Sequence, residues 1–153
     1  MVVATMSKVR WSNIPIPEGH VMRLVVGVAL HLWRPLRLMR AAWPKQVLGW
    51  PLLLIGILLA TWAVAAVKDR DIQKPTEIIS GGPYAFSRNP MYLAWTIIYV
   101  AAAVLANTWW LIMFLPILLL FTRYFVVRQE ERQLERQFGE QYRQYRNRVR
   151  RYL

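Results

Sequence analysis

The stretch "MYLAWTIIYVAAAVLANTWWLIMFLPILLLFTRYFVV", residues 91 to 127, decides the fold. It contains two apolar runs, 91 to 106 and 109 to 127, which are separated only by Asn107 and Thr108. So short a break between two apolar helices predicts an antiparallel helical hairpin. Because both runs are almost free of charge, the hairpin is predicted to lie in a membrane.

Aromatic residues mark both ends of this hairpin. Trp109 and Trp110 at the turn are typical of the aromatic belt at a membrane interface, and Tyr92 and Trp95 could serve the other end. Pro116 is predicted to kink the second helix, because proline removes a backbone hydrogen bond that neighbouring groups must replace.

Two more apolar segments precede the hairpin. Residues 46 to 67 carry no charge, and Pro51 near their start is tolerated there, so this segment is predicted to span the membrane. Residues 20 to 33 are shorter and contain Arg23 and His31. They are predicted to form either a marginal spanning helix or a helix at the interface.

The composition is that of an integral membrane protein. The chain has 153 residues, of which 56% are apolar and eight are Trp, which is more than a soluble domain of this size usually carries. We predict an all-α membrane bundle of about four transmembrane helices with a cytosolic amphipathic C-terminal helix. This single domain would consist of an irregular segment (1 to 19), membrane helices (20 to 127) and a basic tail (128 to 153).

The tail after residue 127 changes from apolar to amphipathic. Its apolar residues recur at spacings of three or four, which predicts one or two helices lying along the membrane face, with Gly139 as the interruption. These residues are Leu134, Phe138, Tyr142, Tyr145 and Val149.

The hairpin also predicts sidedness, because the loop before it (68 to 90) and the tail after it must emerge on the same side. That side carries Lys68, Arg70, Lys74, Arg88 and the arginines of the tail, whereas the 34 to 45 loop carries Arg34, Arg37, Arg40 and Lys45. The excess of positive charge predicts that the 68 to 90 loop and the tail lie in the cytoplasm. The basic 34 to 45 loop is an objection that the sequence leaves open.

The net charge of +12 indicates a membrane with anionic headgroups as the partner, and not a nucleic acid, because the basic residues lie beside apolar segments. The chain has no Cys and two His, which excludes thiolate catalysis and argues against a metal site. No obligate protein partner is evident.

Two adjacent acids, Glu130 and Glu131, stand just beyond the last apolar segment. Acids at the membrane edge cost desolvation and repel each other unless a cation compensates. One interpretation is pairing with Arg128, Arg132 or lipid headgroups, and the other is a carboxylate that awaits a cationic ligand.

Polar residues approach the same face from the loop before the hairpin. Pro90 predicts a helix start and forces Asn89 toward extended geometry. Asn89 is therefore placed either to cap that helix or to direct its amide at a ligand.

The run "GGPYAFSRNPMYLAW" (81 to 95), followed by "EERQLERQFGEQYRQYRNRV" (130 to 149), resembles the isoprenylcysteine carboxyl methyltransferase and phospholipid N-methyltransferase superfamily. The pattern of that superfamily is roughly G-P-Y-x-x-x-R-H-P-x-Y before a helical hairpin and E-E-x-x-L-x-x-x-F-G-x-x-Y-x-x-Y after it. The resemblance covers about residues 46 to 151 and implies S-adenosylmethionine as cofactor.

The resemblance also implies site residues. The cofactor contacts fall on Glu77, Ile78, Ile79, Tyr84, Arg88, Asn89, Pro90, Met91, Tyr92 and Glu130. The predicted catalytic residues are Glu131, Tyr92 and Arg128, of which the first two are candidate proton acceptors if the methyl acceptor is an amine.

The chain departs from this pattern at two positions. Asn89 replaces the usual histidine, so it can hydrogen-bond but cannot transfer protons near neutral pH. Prenylcysteine methyltransferases resemble one another in an arginine, thought to hold the substrate carboxylate, where this chain has Val126; the nearby guanidiniums are Arg123 and Arg128. A prenylcysteine carboxylate is therefore not favoured as the substrate.

The resemblance thus implies methyl transfer from S-adenosylmethionine to a lipid or small apolar acceptor at the membrane face. The alternative is a non-enzymatic membrane protein or assembly factor, in which the two motifs only fasten the loop and the tail to each other.

Overall fold

The computed structural model describes residues 18–40, 43–67 and 75–152. Across these ranges the secondary structure is helical, apart from two isolated bridges. The helices are α1 (Glu18–Trp33), α2 (Trp43–Val67), α3 (Pro90–Leu105), α4 (Trp109–Phe121), α5 (Arg128–Phe138) and α6 (Glu140–Arg148).

The predicted hairpin of α3 and α4 is confirmed. Pro90 is the first residue of α3, as its fixed φ favours. Asn107 turns the chain with a φ of 52°, a left-handed conformation that asparagine tolerates better than most residues. Thr108 then caps α4, its side-chain oxygen accepting from the backbone N–H of Trp110 at 3.3 Å.

Helix α4 does not end at the edge of its apolar run. It passes through a π-helical segment, Thr122–Val127, directly into α5, so Trp109–Phe138 is one helix of 30 residues. The predicted helices on either side of Gly139 are present as α5 and α6, but α5 continues α4 and does not start as a new helix. No Gly or Pro lies between Pro116 and Gly139, so nothing stops the helix from propagating.

Two of the described helices are long and apolar enough to cross a membrane, Trp43–Val67 and Trp109–Phe138. At about 1.5 Å per residue, the distance from Trp109 to Glu130 is about 32 Å, close to the hydrocarbon thickness of about 30 Å. Glu130 therefore lies near one membrane edge if Trp109 lies at the other. Helices α1 and α3 are apolar but shorter.

Two pairs of helices account for most of the packing, and one of them joins helices that are not consecutive in the chain. Helix α3 packs mainly against α2, and α1 packs mainly against α4. Gly56 of α2 lies against α3, where a Cβ would meet Ile98 Cγ1 at 2.6 Å. Gly27 of α1 lies against Leu111 of α4, where a Cβ would clash with Leu111 Cδ2. Small residues thus allow close approach of the helices, as is common in membrane bundles.

The 34–40 loop is fastened to the turn between α3 and α4. Asn107 accepts from Met39 N at 2.7 Å through its side-chain oxygen and donates to the carbonyl of Met39 at 2.9 Å. The indole N–H of Trp110 donates to the carbonyl of Arg34 at 2.9 Å. The basic residues of this loop, Arg34, Arg37 and Arg40, therefore lie at the opposite end of the bundle from Glu130. Lys68, Arg70 and Lys74, which entered the charge count, lie outside the described residues.

Candidate functional site

The loop before α3 and the tail meet at one end of the bundle, as the hairpin predicted. The hydroxyl of Tyr145 in α6 donates to the carbonyl of Tyr84 in the loop at 2.7 Å. Gln137 of α5 donates to the carbonyl of Pro75. This shared end carries both of the sequence motifs.

The loop contains a 3₁₀ turn, Gly82–Ala85, which packs against the end of α2. Gly82 has a φ of +61°, a region that favours glycine, and a Cβ there would approach Ala66 Cβ at 3.0 Å. Tyr84, which is part of this turn, is half-buried. Burial, reinforced by the negative charge of Glu130, raises the pKa of Tyr84 to about 12, so its hydroxyl is neutral at physiological pH.

Asn89 neither caps α3 nor points to an open space. It is 8% exposed, and its side chain makes no capping hydrogen bond. Its amide Nδ2 donates instead to the carbonyl of Arg151 at 3.2 Å. Ser87 Oγ donates to the same carbonyl at 3.2 Å, and Arg88 N donates to the carbonyl of Arg150 at 2.9 Å. Residues 87–89 therefore hold the end of the tail against the site.

Glu131 is bound by two arginines. Its Oε1 lies 3.0 Å from Arg88 Nη1, and it accepts a hydrogen bond from Arg151 Nε at 3.0 Å and another from Arg151 Nη2. The side chains of Arg88 and Glu131 are only 10% and 12% exposed. Pairing was one of the two interpretations of this acid, but the partners are not Arg128 or Arg132. With both oxygens engaged, Glu131 positions the loop and the tail.

Glu130 has a different environment. Its residue is exposed, and Oε1 accepts a hydrogen bond from the hydroxyl of Tyr92 at 2.7 Å. This bond joins the start of α3 to α5, and Oε2 makes no hydrogen bond or ion pair with any described residue. Glu130 is therefore the acid of the pair that can meet a ligand, and its partner Tyr92 fixes how it points.

The other predicted residues divide by exposure. Pro90 and Met91 are buried at the start of α3, Ile78 and Ile79 are half-buried in the loop, and Glu77 and Arg128 are exposed. The structure thus brings Tyr84, Arg88, Asn89, Tyr92, Glu130 and Glu131 together.

Sequence reasoning missed Arg151. It entered only as one of many basic residues in the tail, yet its side chain binds Glu131 and its carbonyl binds Asn89. Its hydrogen bond to Glu131 raises the pKa of the guanidinium, which stays charged. The sequence offers no spacing signal for this pair, because Gly139 (φ +53°) and the extended Val149 between them set the path of the tail.

The side chains at this site, a carboxylate and a phenol, are suited to binding an organic ligand. Across the described residues no group of three or more His, Cys, Asp or Glu could hold a metal ion. An exposed carboxylate beside a neutral phenol is suited to a ligand that carries positive charge, hydroxyl or amino groups.

Comparison with known proteins identifies one matching family. The phospholipid methyltransferase family model matches residues 44–141, more than half of the chain. The matched range contains Tyr84, Asn89, Tyr92 and the acid pair, and it excludes α1. No curated protein and no solved structure matches the chain.

Proposed function

We propose, from the premise that the chain belongs to the phospholipid methyltransferase family, that it transfers a methyl group from S-adenosylmethionine to a lipid or small apolar acceptor. The observation that carries the proposal is the hydrogen bond from Tyr92 to the exposed Glu130, at the end of the bundle where both motifs meet. Two apolar helices long enough to span a bilayer are consistent with an acceptor that is taken from the membrane.

Glu130 and Tyr92 are the groups that we assign to the cofactor. S-adenosylmethionine, when bound, supplies a methyl group already activated by its sulfonium. Glu130 offers its carboxylate to positive charge, amino or hydroxyl groups, and Tyr92 holds that carboxylate in one orientation. Because the leaving group needs no activation, positioning and electrostatics are the protein's contribution.

The residues around this pair form the wall of the proposed pocket. Arg88, Asn89 and Glu131 keep the loop and the tail together, and Tyr84 of the loop accepts a hydrogen bond from Tyr145 of the tail through its carbonyl. We assign further cofactor contacts to Glu77, Ile78, Ile79, Pro90 and Met91, on the resemblance of this segment to the family pattern.

A proton acceptor is needed if the methyl acceptor is an amine. Glu131 is an unfavourable choice because Arg88 and Arg151 occupy its oxygens. We assign proton acceptance to the Tyr92 and Glu130 pair. Arg128, which is exposed at the start of α5, is the residue that we assign to an anionic part of the acceptor.

The proposal is tested by incubating the detergent-purified protein with radiolabelled S-adenosylmethionine and a lipid extract. We expect label in a lipid product, and loss of most of that label in Glu130→Gln and Tyr92→Phe. The matched control is Glu140→Gln, which changes an acid whose side chain is 70% exposed on α6. Equal labelling by parent and both site variants would overturn the assignment of these residues.

A non-enzymatic role has its own supporting observation. Arg151, Asn89, Arg88 and Glu131 form a set of contacts that would fasten the loop to the tail with or without a ligand. If this were the whole role, the protein would label no lipid and the site variants would change only its stability.

A further inference from the structure

A second polar cluster lies inside the bundle, where α1 meets α3 and α4. The rings of His20 in α1 and Tyr99 in α3 stand edge to face at 6.3 Å. The guanidinium of Arg23, one turn along α1 from His20, lies 5.3 Å from the ring centroid of Phe121 in α4. Residues three apart on a helix are neighbours on its surface, so Arg23 and His20 lie on the same side of α1.

Two polar atoms in this cluster are buried without a partner. His20 is 5% exposed and Tyr99 is 2% exposed. Within the described residues, His20 Nε2 and the Tyr99 hydroxyl make no hydrogen bond. Burial of such groups is costly unless something satisfies them, so each unpaired atom calls for an explanation.

Besides these two unpaired atoms, the cluster contains the positive charge of the Arg23 guanidinium. Its Nη1 donates to the carbonyl of Gly19 at 2.9 Å, and the face of its guanidinium is covered by Phe121. Among the side chains that the structure describes, no carboxylate forms an ion pair with Arg23. A guanidinium has five N–H donors, so most of its donating capacity remains for another group.

The cluster is aligned with the proposed methyl-transfer site. Tyr92 and Tyr99 are seven residues apart on α3, which places them on one face and about 10 Å apart along the helix axis. Trp95 lies between them on that face, and its buried indole N–H also has no partner within the described residues. A polar path therefore runs from Glu130 two helical turns into the bundle.

We propose that Arg23, His20 and Tyr99 form a subsite for the oxyanion, phosphate or carboxylate, of a membrane amphiphile. Arg23 supplies the charge and bidentate donors, and His20 and Tyr99 supply neutral hydrogen bonds. That this amphiphile is the methyl acceptor rests on the proposed function. His20 and Arg23 precede the range that the family model matches, and Tyr99 lies within it.

The depth of the cluster adds a constraint on the acceptor. Because the subsite lies about two turns of α3 from the Tyr92 and Glu130 pair, the anionic group and the methylated atom are separate parts of one molecule. An acceptor whose nucleophilic atom is several bonds from its anionic group fits this separation. Methylation of the bound oxyanion itself does not fit it.

The test measures binding of hexadecyl phosphate to the full-length protein in an uncharged detergent by thermal shift and native mass spectrometry. We expect binding that falls at least tenfold in Arg23→Gln and falls less in Tyr99→Phe and in Arg23→Lys, which keeps the charge but loses the bidentate donors. The matched control is Arg123→Gln, an exposed arginine that lies 5.8 Å from the ring of Tyr124 and should leave binding unchanged.

Three results would overturn the subsite: equal affinity in Arg23→Gln and the parent, equal binding of hexadecyltrimethylammonium, or displacement of the probe by inorganic phosphate at the same concentration. The last would mean that a soluble anion, and not an amphiphile, is recognised. Titration of S-adenosylhomocysteine on the same variants separates the two proposals. If the parent binds hexadecyl phosphate through Arg23 but binds no S-adenosylhomocysteine, the methyltransferase proposal fails and the subsite stands.

Discussion

Glu130 and Glu131 are neighbours in the chain with opposite surroundings. Glu131 is nearly buried between Arg88 and Arg151, and Glu130 is exposed beside Tyr92. Consecutive residues on a helix point about 100° apart, so one faces the loop and tail and the other faces outward. The sequence predicted that this pair matters, but only the folded tail decides which acid is free.

Glu131→Gln is expected to lower the free energy of unfolding by about 2 kcal/mol, because it removes the charged partner of the nearly buried Arg88. Thermal or denaturant unfolding in detergent would measure the change. Glu140→Gln, on the exposed face of α6, is the control and should differ from the parent by less than about 0.5 kcal/mol. Equal stability of the two variants would contradict a structural role for Glu131.

Asn89→Asp is expected to release the end of the tail. A carboxylate cannot donate to the carbonyl of Arg151, and it would place a negative charge against that oxygen. Digestion with a carboxypeptidase should then shorten the variant faster than the parent. Asn147→Asp, an exposed change in α6, is the control, and equal digestion of all three proteins would remove Asn89 from this role.

Asn89 also shows why the residue scale is only partly predictable. The helix start at Pro90 was predicted and is observed, whereas the backbone of Asn89 (φ −132°, ψ 54°) is not extended as the X-Pro pair predicted. The partner of its amide was not predicted, because Arg151 lies 62 residues away along the chain. Local rules carry no information about a contact of that separation.

At the scale of the elements, apolar runs and turn residues located the hairpin of α3 and α4 well. The sequence does not predict the continuity of α4 and α5, because the change from apolar to charged residues at 127 is typical of the end of a membrane helix. A change of environment does not end a helix unless a residue such as Gly139 breaks it. The π-helical segment Thr122–Val127 has no signal in the sequence that we recognise.

Gly56→Ala tests the close packing of α2 on α3. Alanine usually stabilises a helix interior by about 1 kcal/mol relative to glycine. Here a Cβ would meet Ile98 Cγ1 at 2.6 Å, Ile98 N at 3.1 Å and the carbonyl of Ala94 at 3.3 Å, so the melting temperature should fall. Gly81→Ala, with no atom within 4 Å of the added Cβ, is the control. A rise in melting temperature for Gly56→Ala would contradict this packing.

At the scale of the whole molecule, the 34–40 loop and the site lie at opposite ends of the bundle. Because both ends carry basic residues, the orientation depends on the difference in positive charge between them. The chain has no Cys, so single cysteines can be introduced at the exposed Arg37 and Gln141. In intact cells a membrane-impermeant maleimide should label Arg37→Cys, and should label Gln141→Cys only after permeabilisation. The reverse pattern would place the site outside.

The most direct test of the central claim is calorimetric titration of S-adenosylhomocysteine into the purified parent and into Glu130→Gln. The account predicts that the parent binds and that the variant binds at least roughly tenfold more weakly, since a charge-assisted hydrogen bond contributes about 1.5–3 kcal/mol. No binding by the parent at millimolar ligand, or equal affinity of the two proteins, would contradict the assignment of Glu130 and Tyr92 to the cofactor.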